Sequence, residues 1–192
     1  MAIGRVKRIW GEEPEEQQVG EQPALPGEEE ATLKKTFSDK IALIIATGFG
    51  LGYSPIASGT VGTLPGVLIA LLMNPLHWGL QVALCVLLTL VAVPFCDRAE
   101  KILGRKDDGR IVADEYLTFP ICVIGLPMAE YPWLIPAAFL VARFTDIVKI
   151  PPAAQSQNIK GGVGIVLDDA IANVYALILL HAGFHLFQRF MG

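Results

Sequence analysis

The chain has 192 residues, of which 53% are hydrophobic and 18% charged, and its mean hydropathy is +0.49. That apolar share is enough to build a buried core and excludes wholesale disorder. The net charge of -4 and the pI near 5.4 exclude a nucleic-acid binder, which would present a basic surface. The sequence therefore predicts a membrane-embedded or membrane-bound protein, or an unusually apolar helical one.

The first forty residues carry a large share of the charge, with nine acids and six bases. Residues 11–35 include GEEPEEQQ and PGEEE and contain few apolar side chains, so they cannot supply a hydrophobic core. We therefore predict a disordered, acidic N-terminal tail over residues 1–36 and a folded helical domain over residues 37–192.

Apolar runs then alternate with short polar stretches, and residues 41–96 contain no Asp, Glu, Lys or Arg. The runs lack the alternation typical of strands, so we predict helices. Two of them, 78–96 and 170–188, approach the roughly 20 residues needed to cross a bilayer, whereas 64–73 and 116–128 are too short. The predicted fold is all-α: a multi-helix, membrane-associated bundle with helical hairpins, in which the number of full crossings stays open.

Prolines interrupt the apolar runs at Asn74-Pro75 and at Pro132, and each interruption predicts the tip of a helical hairpin. If both tips lie at one end of the bundle, three polar segments share the other end: 50–63, 97–115 and 143–169. Five bases fall in the middle segment, so the positive-inside rule predicts that this end faces the cytoplasm. We expect the functional site there.

Two adjacent carboxylate pairs border apolar runs: Asp114-Glu115 in RIVADEYLTFP and Asp168-Asp169 in GGVGIVLDDAIANVYAL. Carboxylates in apolar surroundings are costly unless they are paired or bound to a metal, and neighbouring ones repel without a cation. Their oxygens suit Mg²⁺ or Mn²⁺. Helix N-capping and compensation of the helix dipole would also account for such pairs. Both interpretations stay open.

Arg143, Asp146 and Lys149 in RFTDIVK are spaced at i, i+3 and i+6, which places them along one helical face. They follow the apolar residues 137–142, so they would lie at a buried or interfacial helix end. The face can form a ladder of salt bridges. Alternatively, the Arg fork can bind phosphate oxygens while Asp146 adds a metal ligand.

The segment GFGLGYSPIASGTVGTLPG, residues 48–66, combines six glycines with four Ser and Thr hydroxyls. Unhindered backbone amides and hydroxyls suit an anion cradle at a helix N-terminus, although the lysine of a Walker A loop is absent. Close packing of small residues between helices explains the same composition equally well.

Four motifs in register, ATGFGLGYSPIASGTVGTLPG, IVADE, RFTDIVKIPP and GGVGIVLDDAIAN, resemble the phosphatidylglycerophosphatase A family. The resemblance runs from about Ala46 to the C-terminus. It implies an all-helical, Mg²⁺-dependent lipid phosphatase of the bacterial inner membrane, with the active site facing the cytoplasm. Its substrate would be phosphatidylglycerophosphate, which loses the terminal phosphate to give phosphatidylglycerol.

The motifs and the resemblance together predict the site residues. Mg²⁺ would be held by Asp114, Glu115, Asp168 and Asp169, and Asp146 is a further candidate catalytic carboxylate. The charge of the phosphate would be neutralised by Arg143 and Lys149. Backbone amides and hydroxyls would cradle the phosphate at Gly59, Thr60, Gly62 and Thr63. Membrane lipid is the expected partner, because apolar helices would hold the acyl chains.

Four positions depart from the family pattern: Ser58 and Ile150 stand where proline is usual, and Thr118 and Asn173 where glycine is usual. None of them removes a predicted carboxylate, the Arg or the Lys. The lost glycines could alter helix packing and leave the fine specificity for the substrate open.

Two other functions fit parts of the pattern. A phosphatase for another phosphorylated lipid or a polyol phosphate would need the same groups, and no residue discriminates the headgroup. A non-enzymatic membrane carrier would use intramembrane carboxylates, but carriers usually place them at mid-membrane, whereas these acids lie at the ends of apolar runs. The attacking nucleophile and the oligomeric state are not predicted.

Overall fold

The computed structural model describes residues 26–105, 108–148, 151, 153–156 and 159–191. Within these ranges the chain forms helices and turns without a β-strand, which confirms the predicted all-α fold. The α-helices are Pro26–Ala46 (α1), Ser58–Met73 (α2), Trp78–Leu103 (α3), Ala113–Thr118 (α4), Leu134–Val148 (α5), Ala153–Ser156 (α6) and Gly162–Met191 (α7). Two 3-10 helices cover Leu51–Tyr53 and Phe119–Val123.

Helix α1 begins at Pro26, so residues 26–36 of the predicted tail form its first half, while residues 1–25 lie outside the described part of the chain. The sequence explains this longer helix. Proline is favoured at the first position of an α-helix, which agrees with a helix that begins at Pro26.

Two helices, α3 with 26 residues and α7 with 30, are long and apolar enough to cross a membrane by length and composition. The shorter α2 also turns apolar side chains outward, with Leu64, Leu68 and Leu72 more than half exposed at intervals of four residues. Soluble monomers rarely expose such contiguous apolar stripes. The surface of the bundle therefore fits the predicted association with a membrane.

Small residues let the helices that carry the site approach closely. A Cβ on Gly162 would lie 2.2 Å from the carbonyl oxygen of Val93, so α7 begins directly against the backbone of α3. A Cβ on Gly66 would lie 2.6 Å from the carbonyl oxygen of Tyr116, which brings α2 equally close to α4. The three cysteines, Cys85, Cys96 and Cys122, are buried thiols.

The amide side chains of Asn74 and Gln81 join the two predicted hairpin tips. Asn74 Nδ2 donates to the carbonyl oxygen of Leu126 at 2.8 Å. Gln81, near the start of α3, accepts from the backbone N–H of Gly125 at 2.9 Å and donates to the carbonyl oxygen of Leu76 at 2.9 Å. The turn after α2 and the loop before α5 therefore lie at one end of the bundle, and the polar segments meet at the other.

Candidate active site

An ion pair between Glu115 of α4 and Arg143 of α5 lies at the centre of the polar end. Arg143 Nη1 donates to Glu115 Oε2 at 2.9 Å, and Thr63 Oγ1 of α2 donates to the same oxygen at 2.8 Å. Arg143 Nη1 also lies 3.2 Å from Asp146 Oδ2 on the next turn of its own helix. The Arg143–Asp146 pair of the expected ladder is present, and the same guanidinium also connects three helices, α2, α4 and α5.

Gly59 lies in the first turn of α2, directly against this ion pair. A Cβ at this position would come within 2.4 Å of Glu115 Oε1 and 2.8 Å of Arg143 Nη2. The carbonyl oxygen of Gly59 also lies 2.8 Å from Thr63 Oγ1. The N-terminal turn of α2 therefore lies directly against the predicted phosphate-binding arginine.

The remaining residues of the predicted cradle have different surroundings. A Cβ on Gly62 would lie 2.5 Å from the side chain of Val112, so this glycine serves the packing of α2 against the start of α4. Thr60 is half-buried on the first turn of α2. The packing interpretation of the glycine-rich segment therefore holds for Gly62, whereas Gly59 borders the ion pair and its part in an anion cradle stays a prediction.

The two carboxylate pairs come from opposite sides of the site. Asp114 and Glu115 lie in the first turn of α4, where the helix dipole favours acids. Asp168 and Asp169 lie in the second turn of α7, beyond the first turn to which capping and dipole effects extend. Capping therefore cannot account for the second pair.

The carboxylates are buried close to one another. Asp114, Asp168 and Asp169 are at most 7% exposed. The carboxylate of Asp169 is close enough to four other acids for electrostatic repulsion: Asp114, Asp146, Glu115 and Asp168. Burial raises the pKa of Glu115, and the repulsion from Asp146 adds to this, while the Arg143 charge and the hydrogen bond from Thr63 act in the opposite direction. The site thus has an excess of buried negative charge that a cation would neutralise.

A small cavity of about 10 Å³, called here the site cavity, lies between the carboxylates and the ion pair. It is lined by Thr63, Glu115, Phe119, Ala142, Arg143, Asp146, Asp169 and Asn173. This volume accommodates about one water or one ion. Within the described residues, no three His, Cys, Asp or Glu side chains come together closely enough to hold a metal ion by themselves. Mg²⁺ usually takes one or two carboxylates and completes its shell with water and substrate phosphate, so this donor set fits it.

Asn173 and Thr118, two departures from the family pattern, are site residues that the sequence does not predict. The two side chains contact each other, with Asn173 Nδ2 donating to Thr118 Oγ1 at 3.0 Å. Asn173 is buried and lines the site cavity one turn after Asp169. The spacing of four residues from Asp169 could have indicated from the sequence that Asn173 lies beside the site. Its contact with Thr118, 55 residues away, could be known only from the tertiary structure.

The loop before α4 anchors the start of α2. Asp108 accepts hydrogen bonds from Nε and Nη2 of Arg110, both at 2.8 Å, and these lower the pKa of the carboxyl to about 2. Ser58 Oγ donates to the carbonyl oxygen of the intervening Gly109 at 2.9 Å. The turn at residues 108–110 therefore holds the first residue of α2 in place. Lys149, the predicted partner of Arg143, lies outside the described residues, and its role stays a prediction.

Comparison with known proteins identifies the family. A family model described as phosphatidylglycerophosphatase A matches residues 44–184. Phosphatidylglycerophosphatase A of Escherichia coli K12 is 35% identical over 74% of this chain and 83% of its own length. The Haemophilus influenzae protein of the same name is 33% identical over 72% of this chain and 86% of its own.

A further relative, from Bacteroides thetaiotaomicron, is named "Putative phosphatidylinositol-3-phosphatase" and is 35% identical over 73% of this chain and 91% of its own length. No solved structure gave a significant match. The matched region contains all the residues of the site cavity. The chain is therefore a member of the phosphatidylglycerophosphatase A family of phosphatases.

Proposed function

We propose that this protein is a Mg²⁺-dependent phosphatase that hydrolyses the terminal phosphate of phosphatidylglycerophosphate, giving phosphatidylglycerol and inorganic phosphate. The observation that carries the proposal is the convergence of four helices on one cavity, which joins an arginine to buried carboxylates. The headgroup of the proposed substrate is inferred from the names of the relatives in Escherichia coli and Haemophilus influenzae.

The residues of the site cavity would have two roles, phosphate binding and metal binding. Arg143 would bind the oxygens of the terminal phosphate, since one edge of its guanidinium faces the first turn of α2 at Gly59. Glu115 and Asp169 line the cavity and would hold Mg²⁺, with Asp114 and Asp168 buried behind them. Mg²⁺ held there would polarise the phosphoryl group and lower the pKa of the attacking water. The water oxygen would join phosphorus as the ester P–O bond breaks, and the proton that the water loses would balance the one that the leaving glycerol oxygen takes up.

The bacterial inner membrane is the proposed location, with the site at the cytoplasmic leaflet. Four bases, Arg98, Lys101, Arg105 and Arg110, belong to the end of the bundle that carries the site, and the positive-inside rule favours the cytoplasm for such an end. Outward leucines of α2 would contact the bilayer at the same time. The lipid substrate would then reach the cavity with its acyl chains still in the membrane.

The decisive test is phosphate release from phosphatidylglycerophosphate in detergent micelles, with and without Mg²⁺. We expect Mg²⁺-dependent release by the wild type and a loss of at least about 100-fold in the double variant Asp168→Asn/Asp169→Asn, which removes two buried carboxylates. Asp39→Asn is the matched control, because Asp39 pairs with Arg98 on the outer side of α3, away from the cavity. Wild-type activity that is equal without Mg²⁺ would overturn the metal dependence.

The Bacteroides relative makes a phosphoinositide the second candidate substrate. The same assay with phosphatidylinositol 3-phosphate distinguishes the two headgroups, and we expect a lower kcat/KM for it than for phosphatidylglycerophosphate. The opposite preference would assign this chain to the second headgroup. Failure to release phosphate from either lipid, from phosphatidic acid and from soluble phosphate esters would contradict the proposed enzyme activity and favour a carrier.

The nucleophile is tested by rapid quenching with radiolabelled substrate. Hydrolysis by a water activated at the metal leaves no label on the protein. Covalently bound phosphate would instead show that a carboxylate attacks first and forms an acyl-phosphate.

A further inference from the structure

The amide of Asn173 is held in one orientation by two hydrogen bonds, one of which connects α7 to α4. Its Nδ2 donates to the carbonyl oxygen of Asp169 at 3.0 Å and to Thr118 Oγ1 at 3.0 Å. Thr118 in turn donates its hydroxyl hydrogen to the carbonyl oxygen of Asp114 at 2.6 Å. The reverse orientation would set the amide oxygen against the carbonyl of Asp169, so the network assigns Nδ2 and Oδ1.

This orientation leaves Oδ1 of Asn173 as a buried acceptor. The residue is 7% exposed, and in the described part of the chain Oδ1 has no hydrogen-bond partner. Asn173 lines the site cavity with the carboxylates of Glu115, Asp146 and Asp169. A buried acceptor without a partner is costly, and none of these carboxylates donates a hydrogen bond to it in the structure. Its partner is therefore expected to be the occupant of the cavity.

We propose that Oδ1 of Asn173 is a ligand of the divalent cation in the site cavity, beside the carboxylates of Glu115 and Asp169. An amide oxygen is a hard ligand of the kind that Mg²⁺ and Mn²⁺ accept. Because it is neutral, it adds a ligand without adding to the repulsion among the buried acids. The inference rests on the proposed Mg²⁺ dependence and adds a residue to its site.

Thr118 acts on this ligand indirectly and is a positioning residue. Its hydroxyl accepts from the Asn173 amide and donates to the backbone of Asp114, so it sets the distance between α7 and α4. These are also the helices that carry the two carboxylate pairs. Loss of the hydroxyl would free the amide to rotate while both side chains remain near the cavity.

The test is Mn²⁺ binding to the full chain in detergent without substrate, followed by electron paramagnetic resonance. We expect Asn173→Ala to raise the Kd for Mn²⁺ by about 10-fold or more, and Thr118→Val by a smaller factor. Asn173→Asp retains an oxygen ligand and should bind at least as tightly as the wild type. Gln81→Leu is the control, because it removes a buried amide at the opposite end of the bundle and should leave the Kd unchanged.

A second measurement uses the wild-type sequence and so does not depend on the variants folding. Protein with asparagine labelled with ¹³C at Cγ should show a ¹³C hyperfine coupling to bound Mn²⁺. Absence of that coupling, or an unchanged Kd in Asn173→Ala, would overturn the inference and point to a water molecule at Oδ1. Failure of the wild type to bind Mn²⁺ at all would overturn the proposed metal dependence, which distinguishes the two failures.

Discussion

At the scale of the residue, a substitution at Gly59 is expected to lower catalytic activity without lowering the stability of the fold. A methyl group there would displace Glu115 Oε1 and Arg143 Nη2, which are ends of side chains and can move. We therefore expect Gly59→Ala to lower kcat/KM by about 10- to 100-fold, since a shift of about 1 Å at the site has that effect. The melting temperature should change little. Gly183→Ala is the matched control, because a Cβ at Gly183 meets nothing within 4 Å. Equal activity in the two variants would contradict the placement of Gly59.

The hydrogen bonds of Asp108 predict how the stability of the folded state depends on pH. Hydrogen bonds from Arg110 lower the pKa of this carboxyl from 3.8 to about 2, so the ionised form stabilises the folded state. That contribution is complete above pH 3.8 and is lost as the pH falls through about 2. The difference in melting temperature between wild type and Asp108→Asn should therefore be constant near neutrality and shrink below about pH 4. A difference that is the same at pH 7 and pH 2.5 would contradict it.

At the scale of the element, Gln81 and Asn74 hold the two hairpin tips together, and the site lies at the other end of the same helices. Gln81→Leu would leave the backbone N–H of Gly125 and the carbonyl of Leu76 without their side-chain partner. The expected loss is about 1–3 kcal/mol of unfolding free energy, because these groups are buried or partly buried. Thermal unfolding in detergent measures it. Loss of phosphatase activity without a lower melting temperature would show that the tips influence the site directly.

At the scale of the whole molecule, the distribution of bases predicts the orientation in the membrane. Arg105 is exposed just after α3, on the segment that carries the bases at the site end. We expect Arg105→Cys to resist a membrane-impermeant maleimide in intact spheroplasts and to react in inverted vesicles, because that end faces the cytoplasm. The native cysteines are buried, so they give little background. Labelling from outside intact spheroplasts would reverse the proposed orientation.

The sequence by itself determined the features that depend on near neighbours. Apolar runs without strand alternation were enough for an all-helical bundle, since helix formation reflects local periodicity. The spacing of Arg143 and Asp146 was enough for their ion pair, because residues three apart share a helical face. The four motifs were enough for the family, although the beginning of α1 at Pro26 was not foreseen.

Only the tertiary structure decided which of these features meet. Thr63 and Glu115 are 52 residues apart, and their contact depends on how α2 packs against α4. The same packing gives Gly59 and Gly62 different roles, since one faces the ion pair and the other faces Val112. Asn173 was recognisable as an unusual residue, but its bond to Thr118 and its place in the cavity are long-range consequences of folding. Local patterns fix which side chains are available, whereas the close approach of helix backbones decides which of them form the site.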